Sequence, residues 1–384
     1  MSLYAELAAD LAALDMHGLR RARRVLESPQ AAQVIVDGRD YLAFCANDYL
    51  GLAADPRLAA AARAGVDRYG TGAGASHLVL GHGSAHHELE AALAAFVRLP
   101  RALLFSSGYM ANMGVVTALV GRGDALFADR LNHASLNDAA LLSRAAFKRY
   151  PHGDLAALER LLKTTPARRR MVMTDAVFSM DGDIAPVPEL LELCERHDAC
   201  LLLDDAHGFG VLGAQGRGVM AHFGIAAERI LYMATLGKAA GVAGAFVAGG
   251  SALIETLIQR ARTYIYTTAM PPLLAHALLT SLPLIEREEW RRERLRSLIA
   301  VLKQQLGSVA AQLLPSQTPI QPLLVGGNAE ALALSARLAA QGLLVPAIRP
   351  PTVPQGTARL RISLSAAHSD ADVARLAAAL QSST

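Results

Sequence analysis

The sequence has few of the residues that mark a disulfide-stabilised or nucleic-acid-binding protein. Its 384 residues include only three cysteines, Cys45, Cys194 and Cys200. This odd number, with no CxxC pair, predicts neither a disulfide framework nor a zinc ribbon. The formal net charge is only +3, which argues against nucleic acid as a partner. The basic runs RRARR and RRR are typical of solvated helix faces.

Long apolar runs are also missing. None reaches the roughly 18 residues of a membrane span, and the N-terminal stretch MSLYAELAADLAALDMHG contains acids. That stretch predicts an amphipathic helix and not a signal peptide. Hydrophobic residues make up 52% and charged residues 18% of the chain, enough apolar material for a sizeable core. We therefore expect a cytoplasmic protein that does not associate with membranes.

Short apolar strands and helices alternate along most of the chain. The hairpin QVIVDGRDYLAF, with Asp37-Gly38 at its turn, is followed by strands such as ALLFSS, RMVMTD and CLLLDD with helices between them. This pattern predicts an α/β fold whose mostly parallel sheet is covered on both faces. Pro283 is expected to kink or divide the helical stretch that follows. The predicted domains are 1–50, 51–285 and 286–384, the last a small α+β domain.

Three polar motifs follow predicted strands. Asp204 and Asp205, in LLLDDAHGFG, end a buried strand, where ligands of parallel sheets bind, or they are a pair of helix-capping or turn acids. A buried acid needs a partner, and a protonated ring nitrogen of pyridoxal phosphate (PLP) would supply one, with His207 close enough to reach a ring substituent. The serine- and glycine-rich turn in FSSGYMANMG offers N–H groups to a phosphate, or is an ordinary helix cap. Lys238 lies among glycines, which let its amine approach a planar ligand closely enough to form a Schiff base, although most lysines are surface residues. Together the three predict a PLP site.

Histidines close in sequence raise the separate question of a metal. His82 and His86 are four residues apart and His87 follows. No further plausible ligand set completes a site beyond Glu88 and Glu90. We expect a local capping or substrate-channel role and no metal.

Four long segments resemble the α-oxoamine synthases. They are FCANDYLGL, TDAVFSMDGDIAPVPEL, DDAHGFGVLGAQGRG and TLGKAAGVAGA. This family consists of PLP enzymes of aminotransferase fold type I that condense an amino acid with an acyl thioester and release CO2. The resemblance implies a large domain with a mostly parallel seven-stranded sheet, a small α+β C-terminal domain, and a homodimer with its active site at the interface.

The tail AIRPPTVPQGTARLRISLSAAH resembles one branch of that family. This branch joins L-alanine to pimeloyl-CoA or pimeloyl-acyl carrier protein in biotin biosynthesis. The alternatives are a sister condensing enzyme such as a glycine C-acetyltransferase, or a non-catalytic synthase subunit. A subunit of that kind lacks the Schiff-base lysine, which is present here as Lys238. A dehydrogenase is a more distant alternative.

The resemblance also implies roles for individual residues. Lys238 would form the Schiff base, Asp204 would pair with the pyridine nitrogen, His207 would bond the phenolic oxygen, and His133 would stack on the ring. The other residues expected to bind the cofactor are Gly108, Tyr109, Ser179 and Thr235, with Thr267 or Thr268 reaching the phosphate of a neighbouring subunit. Arg349 would hold the amino-acid carboxylate. The remaining positions expected near the substrates are Arg21, Asn47, Ser76 and Thr352.

Three neighbours of these residues depart from the family pattern. Phe209 stands where threonine or serine is usual, Leu236 replaces a common phenylalanine, and Met110 replaces alanine. None of these changes removes a catalytic group, so they bear on the shape of the pocket more than on the chemistry.

Overall fold

The computed structural model describes residues 2–383. The strands are β1 Gln33–Val36, β2 Arg39–Ala43, β3 Arg101–Phe105, β4 Ala125–Asp129, β5 Ala146–Tyr150, β6 Arg170–Asp175, β7 Ala199–Asp204, β8 Ile230–Thr235, β9 Ala245–Gly249, β10 Ile320–Gly326, β11 Leu343–Leu344, β12 Ala347–Ile348 and β13 Ala358–Ser363. The helices are α1 Leu3–Met16, α2 Pro56–Tyr69, α3 Ser84–Val97, α4 Gly108–Leu119, α5 Ala134–Ser143, α6 Leu155–Thr164, α7 Val187–Arg196, α8 Val219–Phe223, α9 Ser251–Arg260, α10 Arg262–Ile265, α11 Pro272–Arg287, α12 Glu289–Gln305, α13 Asn328–Ala340 and α14 Asp370–Ser383.

A seven-stranded sheet forms the largest layer of the fold. Its strand order is β3-β9-β8-β7-β6-β4-β5, and only β9 runs antiparallel to its neighbours. The residues of β4 and β9 are buried throughout, as expected for strands covered by helices on both faces. The prediction of a mostly parallel α/β sheet is confirmed. The carboxyl ends of β6, β7 and β8 therefore lie side by side at one edge.

The chain divides into two compact units. A central unit comprises Leu50–Ser179 and Asp183–Arg292. A terminal unit comprises the described residues up to Tyr49, the short segment Met180–Gly182, and the chain from Glu293 onward. The terminal unit contains two three-stranded sheets, β1-β2-β11 and β10-β13-β12.

Two local expectations from the sequence have different outcomes. The hairpin forms as predicted, because β1 and β2 pair antiparallel and Asp37 and Gly38 adopt φ angles of 50° and 72° at its turn. The helical stretch, by contrast, is divided at Glu288 and not at Pro283, which lies inside α11. Among residues 2–383 no helix combines the length and the apolar character that crossing a membrane requires.

A bridging histidine joins three segments of the central unit. The Nδ1 of His152 lies 3.1 Å from the carboxylate of Asp129 at the end of β4, and its Nε2 lies 2.9 Å from Asp183. Hydrogen bonds to these two carboxylates raise the pKa of His152 to about 10. The ring also contacts Phe178 edge to face, with 4.4 Å between the ring centroids. The charged imidazolium thus fixes the loop after β5 beside the turn that carries Ser179.

We predict that His152→Gln lowers stability in a pH-dependent way. Because the folded-state pKa lies above the ordinary value, the charged ring stabilises the fold fully below about pH 6.5, and this contribution is lost as the pH rises towards 10. Denaturant unfolding at several pH values should show a difference between wild type and variant that shrinks across this range. His222→Gln, at an exposed histidine, should show no such trend. A constant difference from pH 6 to 10 would contradict the assignment.

Candidate active site

A cavity of about 200 Å³ opens at the carboxyl ends of β6, β7 and β8. This is the edge at which parallel α/β sheets bind ligands. Eight of the residues selected from the sequence line it: Gly108, Tyr109, His133, Ser179, Asp204, His207, Thr235 and Lys238.

Two buried acids lie at this edge of the sheet. Asp175 ends β6 and Asp204 ends β7, and the two are paired in register; their exposed fractions are only 4% and 5%. The carboxylate of Asp204 accepts hydrogen bonds from the Ala206 N–H (3.1 Å) and from Nδ2 of Asn112 (2.7 Å). Burial and the charge of Asp204 raise the pKa of Asp175 well above its usual range. The two buried acids favour a cationic group such as a protonated pyridine ring, because a cation would offset the cost of ionising a carboxyl group there.

Lys238 lines the same cavity. Its Nζ is 2.8 Å from Nε2 of His207. Lys238 follows β8 in the loop of small residues GKAAGVAG, whereas His207 lies in the turn after β7 and is 8% exposed. The loop therefore brings an amine and an imidazole into contact in the cavity that Asp204 also lines.

The first turn of α4 has the character of a phosphate site. Its cap, Ser107, accepts a hydrogen bond from the Met110 N–H (3.3 Å), and no acid occurs in the first turn. The first N–H groups of a helix have no partner within it, and the helix dipole favours an anion there. The Tyr109 hydroxyl donates to Asp138. Thr235, at the end of β8, donates its hydroxyl to the Gly244 carbonyl (3.0 Å).

His133 is held at the start of α5. It is the cap residue of that helix, and its backbone N–H donates to Oδ2 of Asp175 (3.1 Å). Its Nδ1 lies 2.8 Å from the Ser135 hydroxyl and 3.3 Å from the Ser135 backbone nitrogen. The ring is therefore fixed from its backbone and from one ring nitrogen.

The second acid of the DDAH motif has a structural task. Asp205 is buried, and its Oδ2 accepts hydrogen bonds from the Val219 N–H and the Tyr232 hydroxyl, both at 2.7 Å. Burial raises the pKa of Asp205 to about 7. Gly218 has φ +88°, and a Cβ there would collide with both Asp205 and Tyr232. Asp205 thus ties β8 to α8 and takes no part in the cavity lining.

Other sequence-selected residues lie outside this cavity. Thr267 lines a separate groove with Arg144 and Arg262, and Thr268 forms an isolated antiparallel bridge with Ser76.

The remaining selected residues belong to the terminal unit. Arg21 donates to the Thr352 hydroxyl (3.2 Å). Arg349 donates to the Gly18 carbonyl, and its buried Nε has no hydrogen-bond partner within residues 2–383. Burial, followed by the nearby charge of Arg21, lowers the pKa of Arg349. Donor capacity at Arg349 is therefore compatible with binding an anion.

The sequence did not predict four polar residues that line the cavity or contact the residues selected from the sequence. Asp175 could have been found, because RMVMTD and CLLLDD both place an acid at the end of an apolar strand. Asn112 and Ser135 gave no comparable signal, since helix periodicity alone does not reveal a hydrogen-bond partner. Arg361, in β13, is 5% exposed and donates to Oδ1 of Asn47 (3.2 Å).

The histidine-rich segment at the start of α3 contributes to local structure. The Nδ1 of His86 accepts from the Gly83 N–H (3.1 Å), and its Nε2 lies 2.8 Å from the Met270 carbonyl oxygen. Within the described residues, no group of three or more histidine, cysteine or acidic side chains has an arrangement that could hold a metal ion.

Comparisons with known proteins agree with this geometry. Residues 39–380 match the family model "Aminotransferase class I and II". An 8-amino-7-oxononanoate synthase of Nitrosospira multiformis is 68% identical over 94% of this chain and 92% of its own length. Among solved structures, Sphingomonas wittichii serine palmitoyltransferase has a TM-score of 0.94 at 31% identity, covering 100% of this chain and 98% of its own. An 8-amino-7-oxononanoate synthase of Francisella tularensis has a TM-score of 0.78 at 32% identity, covering 89% and 97%.

The chain therefore belongs to the class I and II aminotransferase family and has the type I fold of PLP-dependent enzymes. Within it, the relatives place the chain among the 8-amino-7-oxononanoate synthases, which are α-oxoamine synthases. The predictions of the fold, of PLP as cofactor and of a C-acyl-transferring enzyme are confirmed.

The residues lining the cavity fit this cofactor. Asp204 offers a buried carboxylate to a protonated ring nitrogen, Lys238 offers an amine, and the first turn of α4 offers N–H groups to a phosphate.

We predict that Asp204→Asn weakens PLP binding about 10- to 100-fold, the usual worth of a hydrogen bond to a charged group in a buried site. Titration of the cofactor-free protein, followed by PLP absorbance, measures this effect. Asp205→Asn is the matched control, because Asp205 bonds Val219 and Tyr232 and does not line the cavity. An equal loss of affinity in both variants would mean that the acids act only through stability.

Proposed function

We propose that this chain condenses L-alanine with a pimeloyl thioester to form 8-amino-7-oxononanoate, a step of biotin biosynthesis. The alanine Cα forms a bond to the acyl carbon, the C–S bond breaks with release of the thiol, and the Cα–carboxylate bond breaks with release of CO2. The observation that carries the proposal is the gathering of Lys238, Asp204, His133 and His207 around one cavity in a chain 68% identical to a synthase of this name. The cytoplasm is the proposed location.

The cavity residues divide this chemistry between them. When bound, PLP supplies the electron sink that stabilises a carbanion beside an amine. Lys238 is the proposed base that takes the proton from the alanine Cα and later returns a proton there. Asp204 would pair with the ring nitrogen, His207 would bond the phenolic oxygen, and His133 would stack on the ring.

Further residues are proposed to position the cofactor. The first turn of α4, at Gly108 and Tyr109, holds the phosphate together with Thr235, and Ser179 contacts the cofactor. Thr267 or Thr268 serves the phosphate of a neighbouring subunit.

We also propose a homodimer, in which Thr267 or Thr268 reaches the phosphate bound by the neighbouring subunit. Its support is the exposure of Leu78, Val79 and Leu80, whose exposed fractions are 51%, 78% and 86%, and of Leu141 and Leu142. Contiguous apolar side chains of this kind mark interaction surfaces.

Arg349 and four other residues are proposed to bind or lie near the substrates. Arg349 holds the alanine carboxylate, because a guanidinium matches a carboxylate in two parallel hydrogen bonds; its buried Nε has no hydrogen-bond partner within the described structure. The residues proposed to lie near the substrates are Arg21, Asn47, Ser76 and Thr352.

The first test is the identity of the product. Incubation of the PLP-loaded enzyme with L-alanine and either pimeloyl-CoA or pimeloyl-acyl carrier protein should yield 8-amino-7-oxononanoate by mass spectrometry. Lys238→Ala should lower turnover about a thousandfold or more, because it removes the proposed base. Lys148→Ala, at an exposed lysine of β5, serves as control and should keep wild-type turnover.

Two outcomes would contradict the proposal. Preferential turnover of glycine with acetyl-CoA would assign the chain to a sister condensing enzyme. A protein that stays colourless after incubation with PLP would indicate a non-catalytic subunit.

The second test concerns the arginine that binds the carboxylate. We predict that Arg349→Lys raises the KM for L-alanine about tenfold or more, with a smaller effect on the KM for the thioester, because lysine cannot make the paired hydrogen bonds. Arg361→Lys is the comparison variant, since Arg361 is also a buried guanidinium and contacts Asn47. If the KM for alanine rises with Arg361→Lys and not with Arg349→Lys, the role belongs to Arg361.

A further inference from the structure

A chain of hydrogen bonds connects Asp204 to His133. Asn112, on α4, donates through Nδ2 to Oδ2 of Asp204 (2.7 Å) and to the Ser135 hydroxyl oxygen (2.9 Å). The Ser135 hydroxyl in turn lies 2.8 Å from Nδ1 of His133. Asn112 and Ser135 have no exposed surface, whereas His133, at the other end of the chain of bonds, is exposed.

The directions of these hydrogen bonds follow from the chemistry of the groups. A carboxylate only accepts, so the amide of Asn112 must turn its NH2 group towards Asp204. The same NH2 group donates to the Ser135 oxygen, which leaves the serine proton available to another acceptor. His133 Nδ1 is at the required distance, and it also lies 3.3 Å from the Ser135 backbone N–H, which can only donate.

The proton of the neutral His133 ring is thereby assigned to Nε2. Because Nδ1 accepts from Ser135, it carries no proton of its own, and the remaining ring nitrogen must be the N–H. A ring in this tautomer offers a donor and not a lone pair to a ligand in the cavity. His133 is then suited to bind an oxygen atom of a substrate and unsuited to remove the Cα proton.

We propose that Ser135 and Asn112 are positioning residues: Ser135 fixes His133 in the Nε2–H tautomer, and Asn112 fixes the carboxylate of Asp204. The inference rests on the proposed function for the roles of His133 and Asp204. Ser135 acts on His133, and Asn112 acts on Asp204. The hydrogen bond between Asn112 and Ser135 couples these two effects. His133 donates its Nε2 proton to an oxygen of the thioester or of the carboxylate, and Lys238 remains the base.

Ser135→Ala tests the contact with His133 separately from the contact between Asn112 and Asp204. It removes the hydroxyl that contacts His133 and keeps the direct hydrogen bond from Asn112 to Asp204. We expect a new population of the Nδ1–H tautomer of His133, because only the longer contact with the Ser135 backbone N–H (3.3 Å) then favours Nδ1 as an acceptor. We also expect a fall in kcat of about tenfold, the worth of one hydrogen bond. The dissociation constant of PLP should not change. Ser135→Thr, which keeps the hydroxyl, should restore both the tautomer and kcat.

Asn112→Leu should give the opposite pattern. Leucine is similar in size but cannot donate to Asp204, so PLP should bind about tenfold more weakly. The tautomer of His133 should persist, because Ser135 can still donate to it. Asn112→Ser, a smaller replacement, is measured beside it in case the leucine variant does not fold.

The decisive measurement is a two-bond ¹H–¹⁵N correlation spectrum of histidine-labelled, cofactor-free protein, with His133→Asn used to assign the signal. PLP titration of the same samples gives the dissociation constants. A wild-type His133 in the Nδ1–H form would overturn the proposal, as would wild-type tautomer and kcat in Ser135→Ala, or wild-type PLP affinity in both Asn112 variants. If wild type forms no product from L-alanine and a pimeloyl thioester, the proposed function is wrong, whereas the tautomer and the dissociation constants still decide this inference.

Discussion

The pairing of Asp175 with Asp204 is the constraint on which the site depends. The register of β6 and β7 places two carboxyl groups side by side, almost without exposure, at the edge of the sheet. Two buried carboxylates in contact do not both ionise readily, and burial with the charge of Asp204 raises the pKa of Asp175. Hydrogen bonds offset part of the cost of ionising these buried carboxyl groups. Ala206 and Asn112 donate to Asp204, and the His133 backbone donates to Asp175.

The same pair explains why the cavity suits a cationic ring and an amine. A charge that stabilises a carboxylate in a buried site must come from a ligand or from a nearby side chain. The loop after β8 brings Lys238 beside His207, and a bound PLP would supply a protonated ring nitrogen. A bound cofactor would thus offset part of the cost of burying the two acids at the sheet edge.

The sequence predicted the sheet, the hairpin and the residues around the cavity, because strand ends and small-residue loops carry local signals. Partners were harder to predict. Ser135 lies two residues from His133, yet its contact with Asn112 depends on how α4 and α5 pack. Arg361 follows β-strand alternation with Arg359, a pattern usual for solvated side chains, but both are buried. Such contacts arise from register and helix orientation, which one sequence does not encode locally.

Two departures from the family pattern, Phe209 and Leu236, lie in the core and not at the cavity. Phe209 is buried and packs edge to face on Phe96 and Phe246, with ring centroids 5.4 Å apart in both pairs. Leu236 is buried as well, and neither residue lines the cavity. The larger side chain at 209 is accommodated in the aromatic core behind the sheet edge. A change in core packing, and not a change in the reacting groups, is therefore what distinguishes this chain at position 209.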